Sequence, residues 1–282
     1  YLDILKPDDW HVHLREGDIL SSVLPFTYNN FGSALVMPNL RNPITNIALA
    51  ETYYNKICKQ IPNGIKFTPH MTLYLTNQLN KDEIKQVSTH QNIKAIKMYP
   101  KGATTNSESG ISDFTDFYRL FELMEENGVI LSIHGEVTDE KIDVFDRERV
   151  FIEKVLIKIR NQFPNLKIVL EHITCADAVK FIEEHSMIAA TITIHHLMVN
   201  RNIMLSKRIR PDFYCAPILK TENDRRVLVK AATKGNNKFF LGTDSAPHLQ
   251  RNKIDSCGCA GIFSSPLAIP LLIQLFEKHH SL

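Results

Sequence analysis

The chain has 282 residues, of which 44% are hydrophobic and 23% are charged, as is typical of a globular protein with a large core. Its 33 basic and 31 acidic residues nearly cancel, and no stripe of Lys and Arg predicts a nucleic-acid surface. The longest apolar stretches fall short of the ~20 residues of a membrane span, and no secretory leader is recognisable. We therefore expect neither a nucleic-acid nor a membrane partner.

Short apolar segments rich in β-branched residues predict eight strands along the chain. They span Trp10–His13, Ser33–Asn39, Phe67–Leu75, Ile93–Tyr99, Val129–Glu136, Lys167–Ile173, Ile188–His195 and Phe239–Ser245. Between them, apolar residues recur at helical spacing. The predicted helices are Ile47–Gln60, Asp82–Thr89, Asp113–Asn127, Arg147–Phe163, Asp177–Glu184, Glu222–Thr233 and Pro266–His279.

Alternating buried strands and helices predict parallel strands joined by crossover helices. Eight such units in a chain of this length favour an α/β fold of the (β/α)8 TIM-barrel type. The alternative is a doubly wound open sheet, which usually has a Gly-rich phosphate turn after its first strand. Here that place holds the sequence HVHLREG at 11–17.

Polar side chains stand at the C-terminal ends of the predicted strands, although a fully buried strand should be a continuous apolar run. In a barrel these ends open at one mouth, where catalytic groups collect. Four imidazoles, one lysine and one carboxylate would converge there, a set that suits Zn²⁺ and exceeds the needs of one ion. The polar residues at strand ends are His11, His13, Asn39, Lys97, His134, His172, Asp244 and His248.

Two features of this set leave alternatives open. His11 and His13 project from the same face of a strand and can grip one ion, but such a pair alone is a weak signal. Lys97 lies inside an apolar run, so its pKa should fall. It could form a structural ion pair with Glu136 or Asp244, or capture carbon dioxide as a carbamate that bridges two cations.

Other side chains are weaker candidates. His70, in the third strand, and His195 and His196, at the end of the seventh, could contact the site. Glu136 and Glu171 flank the candidate ligands and could orient imidazoles.

Five cysteines, at 58, 175, 215, 257 and 259, are an odd number thinly spread over the chain. They predict no disulfide framework and favour a reducing, cytoplasmic compartment. Cys257 and Cys259 could bind a metal or form a redox pair, but a CxC pair without a second pair is a weak zinc signal.

Several motifs together give the chain a family resemblance over nearly its whole length. They are PDDWHVHLR at 7–15, VMPNL at 36–40, KMYP at 97–100, ATTN at 103–106, HGEV at 134–137, EHIT at 171–174, GTDSAPH at 242–248 and CGCAG at 257–261. In this order they resemble the single-domain, bacterial-type dihydroorotases of the amidohydrolase superfamily. The resemblance implies a metal-dependent barrel that interconverts N-carbamoyl-L-aspartate and L-dihydroorotate in pyrimidine biosynthesis.

The resemblance also implies a role for each matching residue. His11 and His13 would bind the more buried of two zinc ions, and His134 and His172 the more exposed one. Carboxylated Lys97 and a hydroxide would bridge the ions, and Asp244 would bind the buried zinc and act as general acid and base. The residues implied to contact substrate are Arg15, Asn39 and His248 at its carboxylate, Ala216 and Ala260 through backbone groups, and Thr104 and Thr105 on a mobile loop.

Two alternatives to this function remain. Another cyclic-amide hydrolase, such as a hydantoinase-like enzyme, would share the metals, but an uncharged ring has no use for Arg15. A non-catalytic homologue acting as a partner protein should have lost metal ligands, and all six are present. We expect residues 1–282 to form a single catalytic domain without the family's usual C-terminal extension, and the protein to form a homodimer.

Overall fold

The computed structural model describes residues 2–256 and 258–282. It contains one sheet of eight parallel strands in which each strand pairs with the next along the chain. The strands are β1 Asp8–Val12, β2 Ser33–Val36, β3 Thr68–Tyr74, β4 Ile93–Met98, β5 Ile130–His134, β6 Ile168–Glu171, β7 Ile188–Ile192 and β8 Phe239–Leu241.

The sheet closes into a barrel where the segment after β8 meets the end of β1. Val12 forms a parallel bridge with Ser245, and the His13 amide donates to the Ser245 carbonyl at 3.0 Å. The predicted (β/α)8 barrel is thereby confirmed, and the C-terminal ends of the strands share one mouth.

Helices surround the strands and pack their apolar faces on the outside of the sheet. They are α1 Gly17–Asn30, α2 Ile47–Cys58, α3 Lys81–Thr89, α4 Tyr118–Glu126, α5 Arg147–Phe151, α6 Ile157–Gln162, α7 Ala176–Glu184, α8 Ile194–Met198, α9 Asn202–Leu205, α10 Glu222–Thr233, α11 Gln250–Ile254 and α12 Ala268–Lys278. A π-helical turn, Ile152–Leu156, joins α5 to α6. Within the described residues, no helix combines the length and the apolar character that crossing a membrane requires.

Two of the differences between the predicted and the observed elements have a clear local cause. Helix α1 follows β1 and was missed, because it begins at a glycine and contains Pro25, both poor helix formers. The seventh strand ends at Ile192 instead of His195. Thr193 caps α8 by accepting a hydrogen bond from the His196 amide at 3.1 Å, so His195 and His196 are helical.

Candidate active site

The six predicted metal ligands meet at the mouth of the barrel. His11 lies near the end of β1 with His13 just beyond it, and Lys97 and His134 lie at the ends of β4 and β5. His172 and Asp244 follow the ends of β6 and β8. All six side chains are buried.

Three of these residues form a tight group. The Nε2 atoms of His11 and His13 are 3.2 Å apart. Asp244 Oδ1 lies 3.0 Å from Nε2 of His13 and 3.3 Å from Nε2 of His11. Two imidazole nitrogens and a carboxylate oxygen that converge in this way are a donor set that fits a zinc ion.

His134 and His172 complete the opposite side of the group. The centroid of the His172 ring is 4.7 Å from that of His134 and 5.1 Å from that of His11. Among the described residues, Nδ1 of His172 has no hydrogen-bond partner although it is buried. A buried polar atom of this kind needs a partner, and a metal ion would supply one.

Two carboxylates lie close to these imidazoles. Glu136 Oε2 lies 2.7 Å from Nε2 of His134, and Glu171 Oε2 lies 3.3 Å from Nδ1 of His11. Of the two, only Glu136 is hydrogen-bonded to its imidazole, and a carboxylate partner of this kind fixes the orientation of the ring and raises its basicity. Glu171 also contacts Nζ of Lys97, whereas neither Glu136 nor Asp244 lies within ion-pair distance of that atom.

Burial controls the charges of the group. It lowers the pKa of His11 and His172 well below the ordinary value, and it also lowers that of His13, which leaves neutral imidazoles able to bind a cation. Burial likewise lowers the pKa of Lys97 well below its ordinary value, with partial opposition from Asp244. An amine of this kind is uncharged more often than a solvated lysine, as carbamate formation requires.

Asp9, which sequence reasoning missed, joins strand β1 to the segment that follows β8 and carries Asp244. Its Oδ1 accepts hydrogen bonds from the amides of His11, at 3.1 Å, and Thr243, at 2.8 Å. Its Oδ2 accepts one from the Thr243 hydroxyl at 2.6 Å. One carboxylate therefore holds the backbone of His11 and the backbone of the residue before Asp244.

Left-handed backbone conformations concentrate at the site. Arg15, His172 and Asp244 have φ values of 60°, 43° and 45°, which residues other than glycine rarely adopt. Each such conformation costs on the order of 1–3 kcal/mol and persists only where the surrounding structure imposes it. The fold thus holds three of the candidate side chains in directions that a relaxed strand would not give them.

The predicted substrate-contacting residues border the same pocket on its outer side. Arg15 Nη2 lies 3.2 Å from Nε2 of His248, which in turn lies 2.9 Å from the Ala260 carbonyl. Asn39 is buried, and its Oδ1 has no hydrogen-bond partner among the described residues. Ala216 lines the pocket and precedes Pro217.

The predicted loop lies over this pocket and is tied to Asn39. Nδ2 of Asn39 donates to the Thr105 carbonyl at 3.0 Å, and Nδ2 of Asn106 donates to the Asn39 carbonyl at 3.1 Å. Thr104 and Thr105 both line the pocket. With the loop in this position the cavity has a volume of only about 10 Å³, room for no more than one water molecule.

Tyr99 also lines the pocket and was missed at the sequence level. Its hydroxyl is buried and has no hydrogen-bond partner among the described residues, and Nζ of Lys97 lies 4.7 Å from its ring centroid. The signal was present in the sequence. Tyr99 is two residues after Lys97 and therefore projects from the same face of the strand.

Three weaker candidates lie elsewhere. His70 stacks on Trp10, with ring centroids 6.1 Å apart, and does not border the pocket. His195 and His196 lie on α8 and also do not border it.

Of the CxC pair, Cys257 lies outside the described residues.

Comparison with known proteins gives a family model and close relatives. The model of the amidohydrolase family matches residues 8–279. A dihydroorotase from Alcanivorax borkumensis is 48% identical over 282 residues, and one from Synechocystis is 51% identical over 281 residues. Both alignments cover 100% of this chain and 82% of the relative.

Solved structures show the same similarity. Dihydroorotase from Saccharomyces cerevisiae, in complex with 5-fluoroorotic acid, matches with a TM-score of 0.89 and 37% identity over 98% of this chain and 79% of that one. Dihydroorotase from Campylobacter jejuni has a TM-score of 0.89 and 34% identity over 97% of this chain and 77% of that one. L-hydantoinase from Arthrobacter aurescens, at 15% identity and a TM-score of 0.77 over 95% and 65%, shares the fold alone.

Proposed function

The chain belongs to the amidohydrolase family, and from that premise and its dihydroorotase relatives we propose how its residues carry out the dihydroorotase reaction. The reaction is the reversible cyclisation of N-carbamoyl-L-aspartate to L-dihydroorotate. The observation that carries the proposal is the metal-type cluster of His11, His13 and Asp244, with Arg15 on the outer side of the same pocket.

The cluster supports a binuclear zinc centre. His11, His13 and Asp244 would hold one ion, and His134 and His172 the other, with Lys97 between them as a carbamate. When bound, zinc would supply an acidified water near neutral pH and a Lewis acid for the amide carbonyl. The buried Lys97 supports this arrangement because burial favours its neutral amine, the form that reacts with carbon dioxide.

Asp244 is the group best placed to move protons. Burial alone would raise its pKa, but the facing imidazoles, with His11 first, hold the pKa well below the usual range. The carboxylate is therefore ionised and can accept the proton of the attacking water. It then returns this proton to the ring nitrogen as the amide bond breaks, and the biosynthetic direction runs these transfers in reverse.

Arg15 selects an anionic substrate. Its guanidinium can hold the substrate carboxylate through two parallel hydrogen bonds, a geometry that lysine cannot reproduce. Burial lowers the pKa of His248 to about 4, so this neighbouring imidazole is neutral and adds no charge of its own. The hydantoinase alternative is less supported, since those structures share only the fold and an uncharged ring does not need Arg15.

The loop that carries Thr104 and Thr105 acts as a lid. Its hydrogen bonds with Asn39 hold the loop against the pocket, and we expect them to break when the substrate enters. Closure over the bound substrate would exclude water and bring the threonine hydroxyls near developing charge.

A substrate comparison tests this function. The zinc-loaded protein should hydrolyse dihydroorotate much faster than hydantoin or dihydrouracil, which lack the carboxylate. Arg15→Lys should lower kcat/KM for dihydroorotate by at least about tenfold, the loss of roughly one charge-assisted hydrogen bond, and leave the zinc content unchanged. Equal rates on charged and uncharged rings would exclude the anion-selecting role.

The carbamate on Lys97 has a separate test. Lys97→Ala should lose activity and recover part of it when a short carboxylic acid is added, because the free carboxylate can replace the missing bridge. Elemental analysis should show less zinc in the variant until the acid is present. Full activity of the unsupplemented variant would refute the bridge.

The lid role of the threonines is tested by replacing both with alanine. The Thr104→Ala and Thr105→Ala double variant should have lower turnover and unaltered zinc content, because neither hydroxyl is a proposed metal ligand. Unaltered turnover would remove the threonines from the mechanism.

A further inference from the structure

A second group of metal-type side chains lies outside the candidate active site and shares no residue with it. It consists of His195 and His196 on α8 and Cys215, all buried, with one possible ligand atom of each within 4.8 Å of the others. We propose that His195, His196 and Cys215 form an additional binding site for one thiophilic divalent cation, with Zn²⁺ as its natural occupant.

His195 is the strongest evidence for this second site. This residue is only 5% exposed, and neither of its ring nitrogens has a hydrogen-bond partner among the described residues. An imidazole buried without partners is costly, and a cation on one nitrogen would compensate for part of that cost. Burial also lowers the pKa of His195 to about 4, which leaves a ring nitrogen free to bind at neutral pH.

His196 and Cys215 already face each other across a shared carbonyl. Nε2 of His196 lies 3.9 Å from Sγ of Cys215, and both atoms are near the Pro217 carbonyl oxygen, at 3.1 and 3.3 Å. Nδ1 of His196 lies 2.8 Å from the Thr193 hydroxyl. This hydroxyl can donate or accept, so it tolerates either tautomer of the imidazole.

The proton balance of metal binding follows from these contacts. The proton on Nε2 of His196 moves to Nδ1, where the Thr193 hydroxyl accepts a hydrogen bond, and Nε2 becomes a ligand. The S–H bond of Cys215 breaks, a sulfur–metal bond forms, and the proton leaves to solvent. Binding of one cation therefore releases one proton. The Pro217 carbonyl loses its hydrogen bonds from His196 and Cys215 and can accept one from a water molecule on the metal instead.

Nearby charges decide which cations can bind. Lys220 and Lys253 oppose a cation, although Lys220 Nζ donates to the Ile218 carbonyl and Lys253 Nζ to the carbonyls of Tyr214 and Gly261. The negative charges of Asp244 and Glu136 favour the binding of a cation. A thiolate and two imidazoles prefer Zn²⁺ or Co²⁺ to Mg²⁺ or Ca²⁺, and the opposing ammonium groups should make the site weaker than a closed zinc site with four ligands.

Cobalt provides a direct probe, because thiolate coordination to Co²⁺ produces a charge-transfer absorption band that imidazole and carboxylate ligands do not. Enzyme that has been dialysed until it holds only its measured catalytic zinc should bind one further equivalent of Co²⁺ in equilibrium dialysis, and the band should appear in proportion. Absence of this equivalent or of the band in the wild-type protein would overturn the proposal.

Variants assign the band to the three residues. Cys215→Ala should abolish it, and His195→Gln should weaken Co²⁺ binding by at least about tenfold, with the catalytic zinc content unaltered in both. Cys175→Ser is the matched control, because Cys175 is also a buried thiol whose pKa is raised by burial but is not part of the cluster. A band that survives in Cys215→Ala, or binding unaffected by His195→Gln, would refute the site. His195→Gln breaks no hydrogen bond among the described residues, so it remains informative if the cysteine variant fails to fold.

Discussion

Gly242 tests whether close packing of the barrel holds the candidate metal ligands in place. A Cβ atom added at Gly242 would lie 2.8 Å from Cβ of Thr191 and 2.9 Å from Cβ of His11. Ordinary carbon–carbon contacts are 3.5–4.0 Å, so the neighbouring strands would have to separate by roughly 1 Å. Both obstructing atoms are attached directly to the backbone, and no side-chain rotation can move them away.

Gly242→Ala should therefore lower the free energy of unfolding by about 1–3 kcal/mol, the usual cost of overpacking a core. It should also lower zinc affinity by about tenfold or more, because the strand that is displaced carries His11. Urea unfolding of the metal-free protein measures the first effect, and zinc binding in competition with a chromogenic chelator measures the second.

Gly32→Ala is the matched control for Gly242→Ala. Its added Cβ would meet no atom closer than 3.5 Å, which is ordinary contact, and the change in unfolding free energy should stay within about 0.5 kcal/mol. If Gly242→Ala matched this control in both stability and zinc affinity, the proposed link between strand packing and ligand placement would be wrong.

Three further predictions concern acidity, the pocket wall and the metals. Burial raises the pKa of Glu148 to about 7, so the folded state keeps a proton that the unfolded state releases from about pH 4.5 upward. The free energy of unfolding should therefore fall by about 3 kcal/mol as the pH rises from about 4.5 to 7. Urea unfolding of Glu148→Gln at several pH values should lack this fall. A pH dependence of stability that is the same in Glu148→Gln and in the wild-type protein would contradict the role of Glu148. Tyr99→Phe should lower kcat/KM by about tenfold. Tyr74→Phe is the control, because it removes another buried hydroxyl outside the pocket and should leave kcat/KM unaltered. Equal effects of the two substitutions would show that the Tyr99 hydroxyl has a purely structural role. Removal of the metal with a chelator should abolish activity and lower the Tm, because a bound metal stabilises the folded state that binds it. Added zinc should restore both. An unaltered Tm after chelation would argue against buried metal ions.

The sequence alone determined the barrel and the six candidate ligands. Both rest on local patterns: alternation of short apolar strands with helices predicts parallel crossovers, and polar residues at strand ends predict one shared mouth. Residues such as His134 and Asp244 could be identified because they interrupt runs that should be apolar. Their proposed roles in metal binding remain predictions.

Only the tertiary structure determined which side chains meet across the barrel. Nothing near Asp9 indicates that its carboxylate holds Thr243, which is more than 200 residues away, and Glu171 could not be assigned to Lys97 before the strands were in register. His195 and His196 were wrongly placed in the seventh strand, because the capping bond of Thr193 outweighs the β-type pattern around it. These contacts depend on the closure of the sheet and on burial, which place residues distant in the chain together and which no local pattern records.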